Sequence, residues 1–187
     1  MLTGIIIAGG QSKRMGFDKT QIVYQNLTFM DRAVQLLTTV TSEIIISSNQ
    51  PQSEYPYPVI KDKYPNIGPI GGLVSCLPLI KTEYAIILPV DLPLFSGELI
   101  QKLIQSSDLT KQINILSIDG RPQMLTGIYH KSVQTLIEKQ IEKKDYTLRH
   151  LLNTATYKMI DATTYRHYFF NVNRPENLKI LKNEYEK

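Results

Sequence analysis

Three observations predict an α/β protein of three layers, α/β/α, with a mostly parallel sheet between two layers of helices. Apolar strand-like runs alternate with amphipathic helical segments along most of the 187 residues, the order that parallel pairing through right-handed crossovers produces. The two most apolar runs, Ile5-Ile6-Ile7-Ala8 and Tyr84-Ala85-Ile86-Ile87-Leu88, are unbroken rather than alternating, as strands covered on both faces are. Each ends in residues suited to chemistry at the edge of a sheet, the first in Gly9-Gly10 and the second in Asp91-Leu92-Pro93.

The elements follow in order. After the first strand and a basic stretch, Gln21 to Tyr24 reads as a short strand that turns at Gln25-Asn26. Thr28 with Asp31 three residues later forms a capping-box pattern, opening a helix to about Val40 with Phe29, Ala33, Leu36, Leu37 and Val40 on its apolar face. Glu43 to Ser47 is the second buried strand, and Pro58 to Ile60 is a short one after a loop rich in Pro and Tyr. Gly68-Pro69-Ile70-Gly71-Gly72 leads into a helix from Pro69 to about Leu79, with proline in the first turn. Glu83 to Val90 is a strand and Ser96 to Ser106 a helix. Gln112 to Ser117 and Met124 to Tyr129 are strands around a turn at Asp119-Gly120. Helices at Lys131 to Lys143 and Thr147 to Leu152, a strand at Thr156 to Ile160, and a last helix to Lys182 or beyond complete the chain.

Composition excludes several classes of function. A chain of this length fits one domain, spanning 1–187, and can bury a core without covalent staples. The single cysteine, Cys76, lies in an apolar stretch and reads as core packing; it supports neither a disulfide framework nor a cysteine metal site, which suits a cytoplasmic protein. The absence of a basic leader and of any apolar run near ~20 residues disfavours secretion and membrane insertion. A formal charge of +4 favours acidic ligands without demanding nucleic acid. Lys139, Lys143 and Lys144 alternate with Glu138, Glu142 and Asp145, the pattern of a salt-bridged, solvated helix face.

The chemistry concentrates at the start. Between Thr3 and Lys19 a buried strand meets a glycine pair, whose backbone N–H groups can approach an anion closely, and Lys13, Arg14 and Lys19 follow. Cations beside a flexible backbone at a strand's carboxyl end suit a polyphosphate. The spacing is neither G-x-x-x-x-G-K-[ST] nor G-x-G-x-x-G, so neither a P-loop nor a dinucleotide fingerprint is present. Asp91, where a buried strand leaves the sheet, is placed to hold Mg²⁺, which takes one or two carboxylates and completes its shell from substrate phosphates and water. The Gly68 to Gly72 loop lets a base or ribose lie against backbone.

These residues match a signature. Ile7-Ala8-Gly9-Gly10, Ser12, Arg14-Met15-Gly16 and Asp18-Lys19 meet every fixed position of [LI]-A-[GA]-G-x-S-x-R-M-G-x-D-K, the motif of nucleotidyltransferases that build nucleotide-diphosphate conjugates. With Asp62, the Gly68 to Gly72 loop, Asp91-Leu92-Pro93 and Asn171-Val172-Asn173-Arg174-Pro175-Glu176, the whole chain resembles the molybdenum cofactor guanylyltransferases. The resemblance implies a Rossmann-like nucleotidyltransferase fold with a nucleotide half at about 1–95 and an acceptor half at about 96–187. It also implies transfer of GMP from GTP to molybdenum-molybdopterin with release of pyrophosphate. Ile7, Ala8 and Gly9 would contact guanine and ribose, and Gly10, Ser12, Gly68 and Gly71 would complete the nucleotide site. Asp62 would recognise the nucleoside, Arg14 and Lys19 would hold the triphosphate, Asp91 would bind Mg²⁺, Asn171 and Asn173 would face the acceptor, and Arg149 would be either an acceptor contact or a structural ion pair. Transient contacts with molybdenum cofactor biosynthesis proteins and apo-molybdoenzymes also follow, with the Tyr55-Pro56-Tyr57-Pro58 loop as candidate surface; nucleic acid and membrane do not.

Two positions depart from the family pattern. Ser47 stands where many relatives have Asn, leaving Asn49 as a substitute, and Gln123-Met124-Leu125 lacks a proline that relatives often carry. Two other functions stay open. One is cytidylyl transfer to molybdopterin or a sugar-alcohol phosphate, whose relatives usually have Ala at Gly9. The other is a non-catalytic nucleotide-binding adaptor that delivers cofactor. No side-chain nucleophile or histidine base is required, because a phosphate attacker is already ionised near neutral pH; His130, His150 and His167 fall outside every motif.

Overall fold

The computed structural model describes residues 1–9 and 18–185. Gly10, Ser12 and Arg14 lie outside them.

A seven-stranded sheet runs through the described chain in the order β5-β4-β1-β6-β8-β7-β9. Its strands are β1 (Leu2–Ile7), β4 (Ile44–Ser47), β5 (Val59–Ile60), β6 (Tyr84–Pro89), β7 (Ile113–Ile118), β8 (Arg121–His130) and β9 (Tyr157–Asp161). The remaining two, β2 (Val23–Tyr24) and β3 (Leu27–Thr28), form a separate hairpin. Gln25 and Asn26 between them both take positive φ, as a two-residue hairpin turn requires. All pairs in the main sheet are parallel except those of β8, which runs antiparallel to both β6 and β7. The mostly parallel α/β fold is therefore as expected, with one reversed strand, β8, inserted between β6 and β7.

Alternation of side chains across the sheet separates two apolar layers. Ile6, Ile46, Ile86 and Leu88 face helices α1 (Phe29–Thr38), α3 (Gly97–Ser106) and α5 (Pro175–Tyr185). Ile5, Ile7, Ile45 and Ile87 face α2 (Pro69–Cys76) and α4 (Val133–Glu142). Ile5 and Ile6 are both fully buried, which explains why β1 shows no alternation in sequence. Cys76 is part of the second layer, and burial pushes its thiol up to about 12, so it stays a packed thiol at neutral pH.

The capping box of α1 forms as the sequence indicates. Thr28 accepts from the Asp31 N–H at 2.9 Å and Asp31 accepts from the Thr28 N–H at 3.1 Å. Ser96 caps α3. Other readings need correction. The lysines of α4 and its exit form no ion pair with Glu138, Glu142 or Asp145 among the described residues; Asp145 pairs with His150 at 2.8 Å and Glu138 accepts from Gln134. The Tyr55 to Pro58 loop is only partly free: Tyr55 and Tyr57 are half-buried against the first apolar layer and the Tyr55 hydroxyl donates to Asp31 at 2.8 Å, whereas Pro56 and Pro58 are exposed. The segment Thr163–Phe169, for which the sequence offers no periodic signal, is a kinked 3-10 helix. No helix among the described residues is long and apolar enough to cross a membrane.

Candidate active site

Strand order fixes the site. From β1 the chain moves outward to β4 and β5, then returns to β6 on the other side of β1. The carboxyl ends of β1 and β6 therefore mark the point where the strand order reverses, which is where open α/β sheets place their ligand crevice.

At the floor of the crevice, β1 and β4 stay paired beyond the strand. The N–H groups of Ala8 and Gly9 both donate to Ser47 O at 2.9 Å. These two donors are thus spent within the fold and cannot serve an anion. What Ala8 and Gly9 present instead is bare backbone, on which the flat face of a ring can rest.

Facing Gly9 is Asp62, two residues beyond β5. A Cβ added to Gly9 would lie 3.9 Å from each Asp62 carboxylate oxygen and 3.7 Å from Ser47 O. Asn49 donates through Nδ2 to Asp62 Oδ2 at 3.1 Å and accepts from the Asp62 N–H at 3.0 Å, while Ser47 Oγ lies 3.5 Å from Oδ1. Helix α2 presses against this group. Its N-cap Gly68 takes φ +78°, which favours glycine. A Cβ on Gly71 would stand 2.8 Å from Tyr64 O, and one on Gly72 only 2.3 Å from Ser47 Oγ. Ser75 ties the approach together, accepting from the Lys63 N–H at 2.8 Å and donating to Gly71 O at 2.7 Å. Gly72 therefore lets the helix touch the end of β4, and Gly71 lets it touch the loop that carries Tyr64. Gly68 is glycine for its backbone angle, with open space where its side chain would be.

The other end of the crevice holds Lys19, Asp91, Asn171 and Asn173. Lys19 opens a 3-10 turn capped by Asp18, whose carboxylate accepts from the Thr20 N–H at 2.9 Å. The β4–β5 loop braces this turn, since buried Gln52 donates to Asp18 at 3.5 Å and Gln21 donates to Glu54 at 2.8 Å. Lys19 Nζ lies 3.4 Å from Asp91 Oδ2 and 2.5 Å from Asn173 Oδ1. Asn171 Nδ2 donates to Asp91 Oδ1 at 3.3 Å, and the N–H of fully buried Val172 donates to Asp91 O at 2.9 Å. Burial pushes the Asp91 carboxyl above its ordinary range; the Lys19 charge and the Asn171 amide oppose that without cancelling it.

The opening motif, the strand-end Asp and the tail motif thus converge, although Lys19 and Asn173 are 154 residues apart. Asn171 and Asn173, expected on the acceptor side, bond directly to the charged pair. Arg149 is not gathered in. It lies exposed on the 3-10 helix Leu148–Asn153, which packs against the second apolar layer through Leu148, Leu151 and Leu152, and it forms no ion pair among the described residues. Asn49 escaped assignment as a grip on Asp62. Its signal is the β4–β5 register: Ser47 pairs with Ile60, so two residues on, Asn49 meets Asp62.

The model of the MobA-like NTP transferase domain matches residues 4–160, most of the chain. The chain belongs to this family. It is a nucleotidyltransferase, and relatives agree over nearly full length. A probable molybdenum cofactor guanylyltransferase of Bacillus cytotoxicus is 31% identical over 185 residues, covering 94% of this chain and 93% of its own. Its counterpart in Flavobacterium johnsoniae is 29% identical over 182 residues, covering 96% of each. The crystal structure of molybdopterin-guanine dinucleotide biosynthesis protein A from Archaeoglobus fulgidus shares the fold with a TM-score of 0.77, at 18% identity over 96% of both chains.

Proposed function

We propose that this nucleotidyltransferase transfers GMP from GTP to molybdenum-molybdopterin, forming molybdopterin guanine dinucleotide and pyrophosphate. The observation that carries the reading is the convergence of Lys19, Asp91, Asn171 and Asn173 at the crevice where β1 and β6 part. The names of the relatives supply the choice of nucleotide and acceptor.

In the proposed reaction a phosphate oxygen of the acceptor attacks the α-phosphorus in line. One P–O bond forms as the bond to the β-phosphate oxygen breaks, and pyrophosphate carries away the charge. Two anions must meet, so the protein's task is to position them and offset their charge. Guanine and ribose lie against Ile7, Ala8 and Gly9, bordered by Gly68, Gly71 and Asp62, and Gly10 and Ser12 serve the phosphates. Arg14 and Lys19 hold the triphosphate, and Lys19 exchanges Asp91 for phosphate oxygens. Asp91 suits Mg²⁺: it is a strand-end carboxylate, and it would hold the ion together with substrate phosphates and water. Bound there, Mg²⁺ neutralises phosphate charge. Asn171 and Asn173 keep hydrogen-bond capacity beyond one bond each and meet the acceptor.

The test is pyrophosphate release by the purified protein with Mg²⁺ and molybdenum-loaded molybdopterin, comparing GTP, CTP, ATP and UTP. Turnover with GTP alone is expected. Turnover with CTP alone would replace guanylyl by cytidylyl transfer, and binding without turnover would make the protein a cofactor-delivery adaptor.

A further inference from the structure

The grip on Asp62 is more elaborate than anchoring a loop requires. In the parallel β4–β5 pair the Ser48 N–H donates to Ile60 O at 3.0 Å, and the backbone ladder ends there. The Asn49 side chain continues it, accepting the next N–H, that of Asp62, at 3.0 Å. With its amide nitrogen the same side chain holds Asp62 Oδ2 at 3.1 Å, and Ser47 Oγ approaches Oδ1. Each carboxylate oxygen is thereby steadied from the protein side by one neutral donor, with acceptor capacity left on both. Both oxygens lie at the same 3.9 Å from the point where a Gly9 Cβ would stand, so the carboxylate is presented evenly toward the end of β1.

We infer that Asn49 is a positioning residue for base selection, setting the Asp62 carboxylate so that its two oxygens accept from two adjacent N–H donors on the edge of a base. The inference rests on the guanylyltransferase reading above. Guanine offers such a pair in N1–H and the 2-amino group, hypoxanthine offers N1–H alone, and cytosine has one donor beside an acceptor. A carboxylate free to rotate would still attract donors but would lose the two-point match that separates guanine from hypoxanthine.

Two substitutions separate positioning from mere support of the loop. Asn49→Ala removes both bonds. Asn49→Asp keeps an acceptor for the Asp62 N–H, so the loop stays tied, but sets a second carboxylate against Oδ2 and turns the Asp62 carboxylate away. The measurement is equilibrium binding of GTP, ITP and CTP to the full chain with Mg²⁺, with thermal melting alongside. The wild-type protein is expected to prefer GTP to ITP by about tenfold or more, the weight of one charge-assisted hydrogen bond. Both variants should lose about tenfold in GTP affinity and little in ITP affinity, so the ratio collapses. Asn49→Asp keeps the tie to the Asp62 N–H and should stay folded, with some loss in melting temperature from the like charges, and it decides the matter if Asn49→Ala folds poorly. An unchanged GTP/ITP ratio in Asn49→Asp would overturn the inference while leaving the guanylyl reading intact. A wild-type protein that binds CTP in preference to GTP would overturn both.

Discussion

Asp62 and Asp91 sit at opposite ends of one crevice and are held in opposite ways. Asp62, beyond β5, has neutral partners, an amide and a hydroxyl, and bare glycine backbone before it. Asp91, beyond β6, faces an ammonium group and is buried enough to be pushed above the ordinary carboxylate range. A carboxylate steadied by neutral donors has no cation to exchange and is left to accept from a neutral donor edge such as that of a base. One balanced by a cation can exchange that cation for another, provided the displaced ammonium finds new anions. The first arrangement suits recognition and the second suits exchange of one cation for another.

Removing the exchangeable carboxylate is the hardest blow to this comparison. Asp91→Ala should lower the rate of pyrophosphate release by about 10³-fold or more, since it removes the group assigned to Mg²⁺. The fold should survive, because Val172 is tied to the Asp91 carbonyl rather than to its side chain. Near-normal initial rates would take Asp91 out of the reaction. Lys19→Ala comes next. It leaves Asp91 without its cation and the triphosphate without an ammonium, and the dissociation constant for GTP should rise about 10- to 100-fold. An unchanged constant would mean that Lys19 serves only to balance Asp91.

The recognition end should instead respond to volume. Gly72→Ala would put a methyl group 2.3 Å from Ser47 Oγ, so the helix or the serine must move. An overpacking cost of about 1–3 kcal/mol is expected in urea unfolding. Ser47→Ala in the same chain should return part of it, because the next obstacle, Ser47 Cβ, lies at 3.3 Å. Strictly additive losses would show that the contact is not the cause.

How much of this is legible in sequence depends on how local each interaction is. The β1 run, the α1 capping box and the Asp after β6 are written in contiguous residues, and each stands where the pattern puts it. The antiparallel insertion of β8 between β6 and β7 is not, since the alternation of elements says nothing of pairing partners at long range. The grip of Asn49 on Asp62 spans 13 residues and depends on strand register. The tie from Lys19 to Asn173 depends on where the tail lands against β6. Motifs announce which residues matter; only the packing shows that both tail asparagines first serve the Lys19–Asp91 pair.

A third carboxylate tests whether neutral donors suffice to hold a charge in this protein. Burial alone would raise the Asp31 carboxyl, but hydrogen bonds from Thr28 and Tyr55 outweigh it, and the group lies below its ordinary value. A carboxyl lowered on folding contributes stability that is fully present above its unfolded value, near 4, and is lost as pH falls through the folded one. Asp31→Ala should therefore cost about 0.5–2 kcal/mol at neutral pH, the range for a lost cap. The difference from wild type should shrink as the pH is lowered through the carboxylate range. Because Tyr55 lies in the loop that also carries Gln52 and Glu54, loss of Asp31 should slacken the brace on Asp18 and Gln21. A modest weakening of GTP binding, smaller than that of Lys19→Ala, is the expected sign. A stability difference that stays constant from pH 7 to pH 3 would mean that Asp31 acts through packing rather than charge.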